Sequence, residues 1–141
     1  MNSYLTYNET FAINDALIKR AGPNYILEIG KLIGGQITIN EIEYERTKPV
    51  QMNFPRSYNY NITLKLPEGF TVSGLDKLNK SVDNATGSFI STAKVEGSNL
   101  VITTSKNYKH NYETSANWPK MIAFLDEAVQ FTNEKILLKK Q

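Results

Sequence analysis

The chain contains no cysteine. That absence removes disulfides, thiol nucleophiles and cysteine-based zinc or iron–sulfur sites together. It fits a cytosolic protein, or an exported bacterial one that folds without bridges. Histidine occurs once, at His110. Nucleophilic catalysis therefore has a single candidate base, and a transition-metal site, which takes several nitrogen or sulfur ligands, has little to draw on. Charge imbalance is also scarce: 16 Lys and Arg face 14 Asp and Glu, for a formal charge of +2. So small an excess argues for neither nucleic acid nor an anionic membrane surface as partner. The one tight basic cluster, Lys135, Lys139 and Lys140, reads as a solvated tail. No apolar run is long enough to cross a bilayer, so no transmembrane segment is expected. The opening MNSYLTYNET lacks the basic-then-apolar layout of a signal peptide. The expectation is a chain that stays where it is made, or a piece of a longer one.

What is present reads as one mainly β domain. At 141 residues the chain can bury a real core, and 8 Tyr, 6 Phe and 1 Trp supply large apolar areas. The clearest pattern runs from Tyr58 to Val72. Tyr58, Tyr60, Ile62, Leu64 and Leu66 share one parity, and Asn59, Asn61, Thr63 and Lys65 the other. Side chains alternate across a strand, so one face goes to a core and the other to water. Pro67-Glu68-Gly69 breaks the run, and Phe70 and Val72 resume it.

Around this central strand the same periodicity predicts others. Leu5, Tyr7, Phe11 and Ile13 suggest a first strand, with Ala16–Ala21 undefined before a turn at Gly22-Pro23-Asn24. Tyr25–Ile29 and Gln36–Tyr44, the latter rich in Ile and Thr, have strand composition. Glu45–Pro49 forms a charged corner. Leu75–Thr86 loses all pattern and reads as an exposed loop. A hairpin follows, with Ser88–Val95 and Leu100–Ser105 flanking Glu96-Gly97-Ser98-Asn99. Phe89, Ala93, Val95, Leu100 and Ile102 are its core residues. Tyr108, His110 and Tyr112 continue an alternating strand. Beyond Asn117 and Pro119 the period becomes helical: Trp118, Met121, Ile122, Leu125, Ala128, Val129 and Thr132 recur at three and four, widened by Phe124 and Phe131. Ile136-Leu137-Leu138 closes the chain as a strand. The fold class is thus mainly β, an antiparallel β-sandwich with one C-terminal amphipathic α-helix packed on it.

The sequence offers no catalytic residue, no metal site and no cofactor motif. His110 between tyrosines reads as a surface or interface residue. Asp76, Asp83 and Asn84 are too few and irregular for calcium. Glu41, Glu43 and Glu45 share a strand parity, the mark of a solvated face. Gly34-Gly35 lacks any phosphate-loop context. The suggestive residues are aromatic. Tyr58, Tyr60, Tyr108, Tyr112 and Trp118 are candidate ligand-binding residues, able as a stacking platform to take sugar rings; the plainer reading has them as strand and helix residues with buried rings.

Three stretches, in order, carry a resemblance. Glu45-Arg46-Thr47-Lys48-Pro49-Val50 precedes the central strand, Leu66-Pro67-Glu68-Gly69-Phe70 ends it, and the helix runs into Lys135-Ile136-Leu137-Leu138-Lys139-Lys140. Over roughly Gln36–Lys140 the sequence resembles the C-terminal β domain of unknown function that follows a transglutaminase-like domain in exported proteins of Bacteroides-type bacteria. The resemblance implies a non-catalytic accessory or interaction domain, exported to the periplasm or cell envelope, whose partner is the neighbouring transglutaminase-like domain or another envelope protein. It implies no activity for this domain: the upstream Cys-His-Asp triad has no counterpart here. Arg46, Pro49 and Pro67 are read as fold determinants, Arg46 tying down loop carbonyls. The alternative is a carbohydrate- or cell-envelope-binding β-sandwich module using the tyrosines, with a glycan as partner.

Overall fold

The computed structural model describes residues 9–10 and 17–141. The strand expected over Leu5–Ile13 lies, but for Glu9 and Thr10, outside those residues. The elements run β1 (Ile18–Ala21), β2 (Asn24–Leu27), α1 (Glu41–Tyr44), β3 (Val50–Gln51), β4 (Arg56–Lys65), β5 (Phe70–Ser73), β6 (Lys80–Asp83), β7 (Gly87–Glu96), β8 (Asn99–Tyr108), β9 (Tyr112–Glu113), α2 (Trp118–Thr132) and β10 (Ile136–Lys140). They form two four-stranded antiparallel sheets, ordered β1-β2-β10-β5 and β4-β8-β7-β6, and a small β3-β9 pair.

The two long hairpin arms dominate. β7 and β8 pair from Gly87↔Tyr108 to Glu96↔Asn99, leaving only Gly97 and Ser98 as the loop. Gly97 sits at φ 58°, a conformation that glycine adopts without steric cost. β4 pairs β8 along its whole length. The parity expected from Tyr58 to Leu66 is correct, but β4 is an edge strand, not a central one. Its inward side chains Tyr60, Ile62 and Leu64 are consequently only half-buried.

The helix supplies the centre of the core. Met121, Phe124, Leu125, Ala128 and Phe131 are buried, and α2 packs on β6 and β7. Phe131 meets Phe89 edge-on at 5.6 Å between centroids, and Phe124 meets Tyr108 at 5.3 Å and 83°. Such aromatic pairs contribute about 0.5–1.5 kcal/mol beyond the area they bury. Leu27, Ile136 and Leu138 of the other sheet join the same cluster, so the described residues share one hydrophobic core. Pro119 occupies the first turn of α2, as expected.

Four expectations are corrected. Gln36–Tyr44 is not a strand: residues 35–40 run without regular structure into the single turn of α1. Glu43 Oε2 accepts the Asn40 N–H at 2.9 Å, the Trp118 Nε1–H donates to the Glu43 carbonyl at 2.6 Å, and the Tyr44 hydroxyl donates to Asp126 at 2.8 Å. Local capping and two bonds to α2 outweigh the β composition, because propensity yields to tertiary partners. The Tyr44–Asp126 bond and burial raise the phenol's pKa. With the strand gone, the shared face of Glu41, Glu43 and Glu45 goes too.

Second, Leu75–Thr86 is largely ordered. Leu75–Leu78 makes a 3₁₀ turn with Leu78 fully buried, and β6 pairs β7. The polar residues that hid the pattern serve as joints: Asn79 Oδ1 accepts the Ala93 N–H, and Ser91 Oγ accepts the Lys80 N–H while donating to the Leu78 carbonyl. Third, Val95 is exposed, since the tip of the β7–β8 hairpin projects past the core. Fourth, Tyr108–Tyr112 turns a corner. Lys109 bonds Asp83 and the Asn84 carbonyl, each at 2.6 Å, and the chain then pairs with β3.

A carboxylate outside any sequence expectation also organises the fold. Glu28 is 4% exposed and held by Lys19 at 2.8 Å, Lys135 at 3.4 Å and Lys31. Bonds from Lys19 and then Lys31 pull its pKa from 4.5 down to about 2, against the opposing effect of burial. A depressed carboxylate pKa contributes stability that is complete above the unfolded value and is lost as pH falls through the folded one. Wild type should therefore be more stable than Glu28→Gln at pH 5, and the gap should close between pH 4.5 and 2. Urea midpoints at stepped pH measure this; a gap constant across that window would remove the cluster from the account.

Candidate functional site

The inward parity of β4 and β8 places unlike residues side by side. Arg56 lies opposite Tyr108, Tyr58 opposite Lys106 and Tyr60 opposite Thr104. Directly opposed residues share a face at close range. Toward the Leu64–Leu100 end this face is aliphatic and packed; toward the Arg56–Tyr108 end it is aromatic and cationic. Over that second end the chain lays Gly35, Gln36, Ile37, Ile39, Arg46, Val50 and Met52, and α2 closes the side with Trp118, Met121 and Leu125. The cavity, open to solvent at one side, is about 350 Å³.

Four of the five aromatic candidates line it: Tyr58, Tyr60, Tyr108 and Trp118. They are not an external platform. Trp118 is 5% exposed and Tyr108 is buried, so their rings are walls, while Tyr58, at 41%, stands at the mouth with Ile37. Tyr112, on β9 and 50% exposed, is outside the cavity.

Among the described residues three cations share the lining. Arg46 holds the Lys48 and Pro49 carbonyls, through Nε at 2.9 Å and Nη2 at 3.3 Å, which is the loop-tying role its position suggests. Its guanidinium also lies 5.4 Å from the Trp118 ring centroid. Arg56 stands at the exposed rim. Lys106 is the deep one, 8% exposed. Its ammonium sits 5.2 Å and 5.6 Å from the centroids of Tyr58 and Tyr108 and donates to Gln36 Oε1 at 2.5 Å. Burial pushes its pKa below the ordinary lysine value and that of the Tyr108 hydroxyl above its own. Among the described residues no carboxylate lines the cavity. A buried charge is costly unless compensated, and here two ring faces and one amide stand in for a counter-ion.

Sequence reasoning passed over Lys106, Arg56 and Gln36. The signal was present for Lys106: it shares the inward parity of Leu100, Ile102 and Tyr108, and lysine is rarely fully buried without a partner. Gln36 carried no signal, because its segment reads as a strand.

His110 is elsewhere. Its Nδ1 lies 2.6 Å from Glu113 Oε1, and Glu113 Oε2 accepts from Asn117 at 2.6 Å. Glu113 is buried and His110 is exposed, so this chain of bonds pins the corner before α2. Among the described residues no three His, Asp or Glu side chains gather as metal ligands, and no helix is long and apolar enough to cross a membrane.

A family model described as a domain of unknown function with solved structure (DUF3858) matches residues 26–138. No curated protein and no solved structure matches the chain.

Proposed function

The chain belongs to the DUF3858 family of domains of unknown function, and on that premise we propose that it is a non-catalytic interaction domain that binds through the aromatic, cationic cavity. The observation that supports this reading is the convergence of Tyr58, Tyr60, Tyr108 and Trp118 on one solvent-open cavity. A small concave, mostly apolar site with a few fixed polar groups is what ligand recognition requires. The cavity-lining residues provide no nucleophile paired to a histidine or carboxylate base, as covalent catalysis would need.

The setting proposed for it is an accessory domain of an exported transglutaminase-like protein, in the periplasm or cell envelope, with that catalytic domain or another envelope protein as neighbour. The three motifs at Glu45–Val50, Leu66–Phe70 and Lys135–Lys140 support this part. Immunodetection in fractionated source cells tests it. A native species far larger than 16.0 kDa in the envelope fraction is expected; a 16.0 kDa cytoplasmic species would end the accessory reading.

A second reading, a carbohydrate- or envelope-binding module, is favoured by the ring-lined walls, since aromatic faces suit sugar rings. It predicts that Tyr60→Ala weakens glycan binding at least tenfold while Tyr112→Ala, outside the cavity, leaves it unchanged. Titration calorimetry with solubilised envelope glycan measures both. Equal affinities for the two variants would detach the binding from this site.

A further inference from the structure

Resting on the cavity as a binding site, we propose that its ligand is a monoanion: a carboxylate carried on a single ring, with the carboxylate at Lys106 and the ring against Tyr58, Tyr60 and Trp118. The anion follows from a buried charge that no described carboxylate pairs. Lys106 is more than nine-tenths buried, its one hydrogen-bond acceptor among the described residues is the neutral Gln36 amide, and Arg46 and Arg56 stand over the same space. None of the three forms an ion pair with a described carboxylate. The rings that now face the ammonium offer a quadrupole, weaker than a full negative charge at contact distance. An entering carboxylate would supply that charge and accept the donors that Gln36 leaves free.

A single negative charge follows from depth. Only Lys106 lies at the bottom; Arg46 and Arg56 are exposed. The aliphatic part of the lining, Ile39, Met52, Met121 and Leu125, offers nothing to a second buried charge. A phosphate dianion would leave part of its charge desolvated and unpaired, which is expensive. The size follows from volume. About 350 Å³ is near the small end of ligand cavities, room for one ring and its substituent rather than an extended chain.

The test uses the whole chain and two matched pairs of probes: D-glucuronate against D-glucose, and benzoate against benzamide, with inorganic phosphate as the competing anion. Titration followed by NMR or calorimetry should show at least one acid binding tenfold or more above its neutral partner, and phosphate binding more weakly than that acid. The pair that shows the difference identifies the ring as sugar or aromatic. Lys106→Met keeps the length and apolar stem of the buried side chain, so it should fold with a similar melting temperature and lose the preference for the acid. Tyr60→Ala should weaken acid and neutral probe alike. Equal binding of acid and neutral probes, with loss in Tyr60→Ala, would overturn the anion while leaving the cavity as a binding site. Phosphate binding better than either acid, or an acid preference surviving in a folded Lys106→Met, would likewise overturn it. No binding of any probe to the folded chain would remove this proposal and the cavity reading together.

Discussion

Gly30→Ala should destabilise the protein by about 3 kcal/mol or more, a loss at the upper end for a single added methyl group. A Cβ at position 30 would stand 2.0 Å from the Phe131 carbonyl oxygen and 2.8 Å from that of Thr132. Both are backbone atoms in the last turn of α2, so no flexible side chain can yield. Gly30 lies in the 3₁₀ turn Ile29–Ile33, between two fully buried isoleucines, and its N–H donates to the Glu134 carbonyl at 3.1 Å. The close approach, not an unusual dihedral, demands glycine here. To make room, α2 would have to lift away from Ile29 and Ile33, opening voids in a core that is otherwise close-packed. Gly35→Ala is the control: nothing lies within 4 Å of its Cβ, and it should change stability by less than about 0.5 kcal/mol. Urea denaturation of both variants decides the matter. Midpoints for Gly30→Ala and Gly35→Ala that coincide would show that α2 does not rest on this turn.

That contact marks where the sequence stopped being legible. The helix, its proline and its buried stripe were all readable, because a period of 3.6 over fifteen residues has few competing explanations. The hairpin was equally plain, its two arms bounded by Gly97-Ser98. What α2 rests on was not, since Gly30 reads as punctuation whether it ends a strand or receives a helix. The errors have a common cause. Gln36–Tyr44 has the composition of a strand and Leu75–Thr86 that of a loop, but each is decided by partners distant in the chain, Trp118 and Asp126 for the first, Ser91 and Ala93 for the second. The site divides along the same line. Its aromatic residues could be named from their types, and their convergence depends on a register, Tyr58↔Lys106, that only pairing supplies. Tyr112 belongs with them by residue type alone, and the corner at Lys109–Asn111 separates it from the cavity.

Trp118→Ala should cost about 3–5 kcal/mol, the usual range for removing a buried large aromatic, and should abolish ligand binding by the cavity even where the variant remains folded. The indole holds two structures at once. Its ring belongs to the core cluster that includes Met121 and lies 5.4 Å from the Arg46 guanidinium, while its N–H reaches the Glu43 carbonyl. Without it, α1 keeps the Tyr44–Asp126 bond as its remaining side-chain tie to α2, and Arg46 loses its ring. Trp118→Phe separates the two roles. The ring still fills the core and faces Arg46, but the hydrogen bond to Glu43 is gone. Because α1 is exposed, water can satisfy that carbonyl, so the loss in stability should be near 1 kcal/mol. Binding should fall more than stability does, because the covering segment loses a fixed point while the core is nearly intact. Calorimetry on the two variants, beside their urea midpoints, tests the division. If Trp118→Phe bound as wild type does, the segment over the cavity would be held by other contacts, and the indole would be a core residue alone.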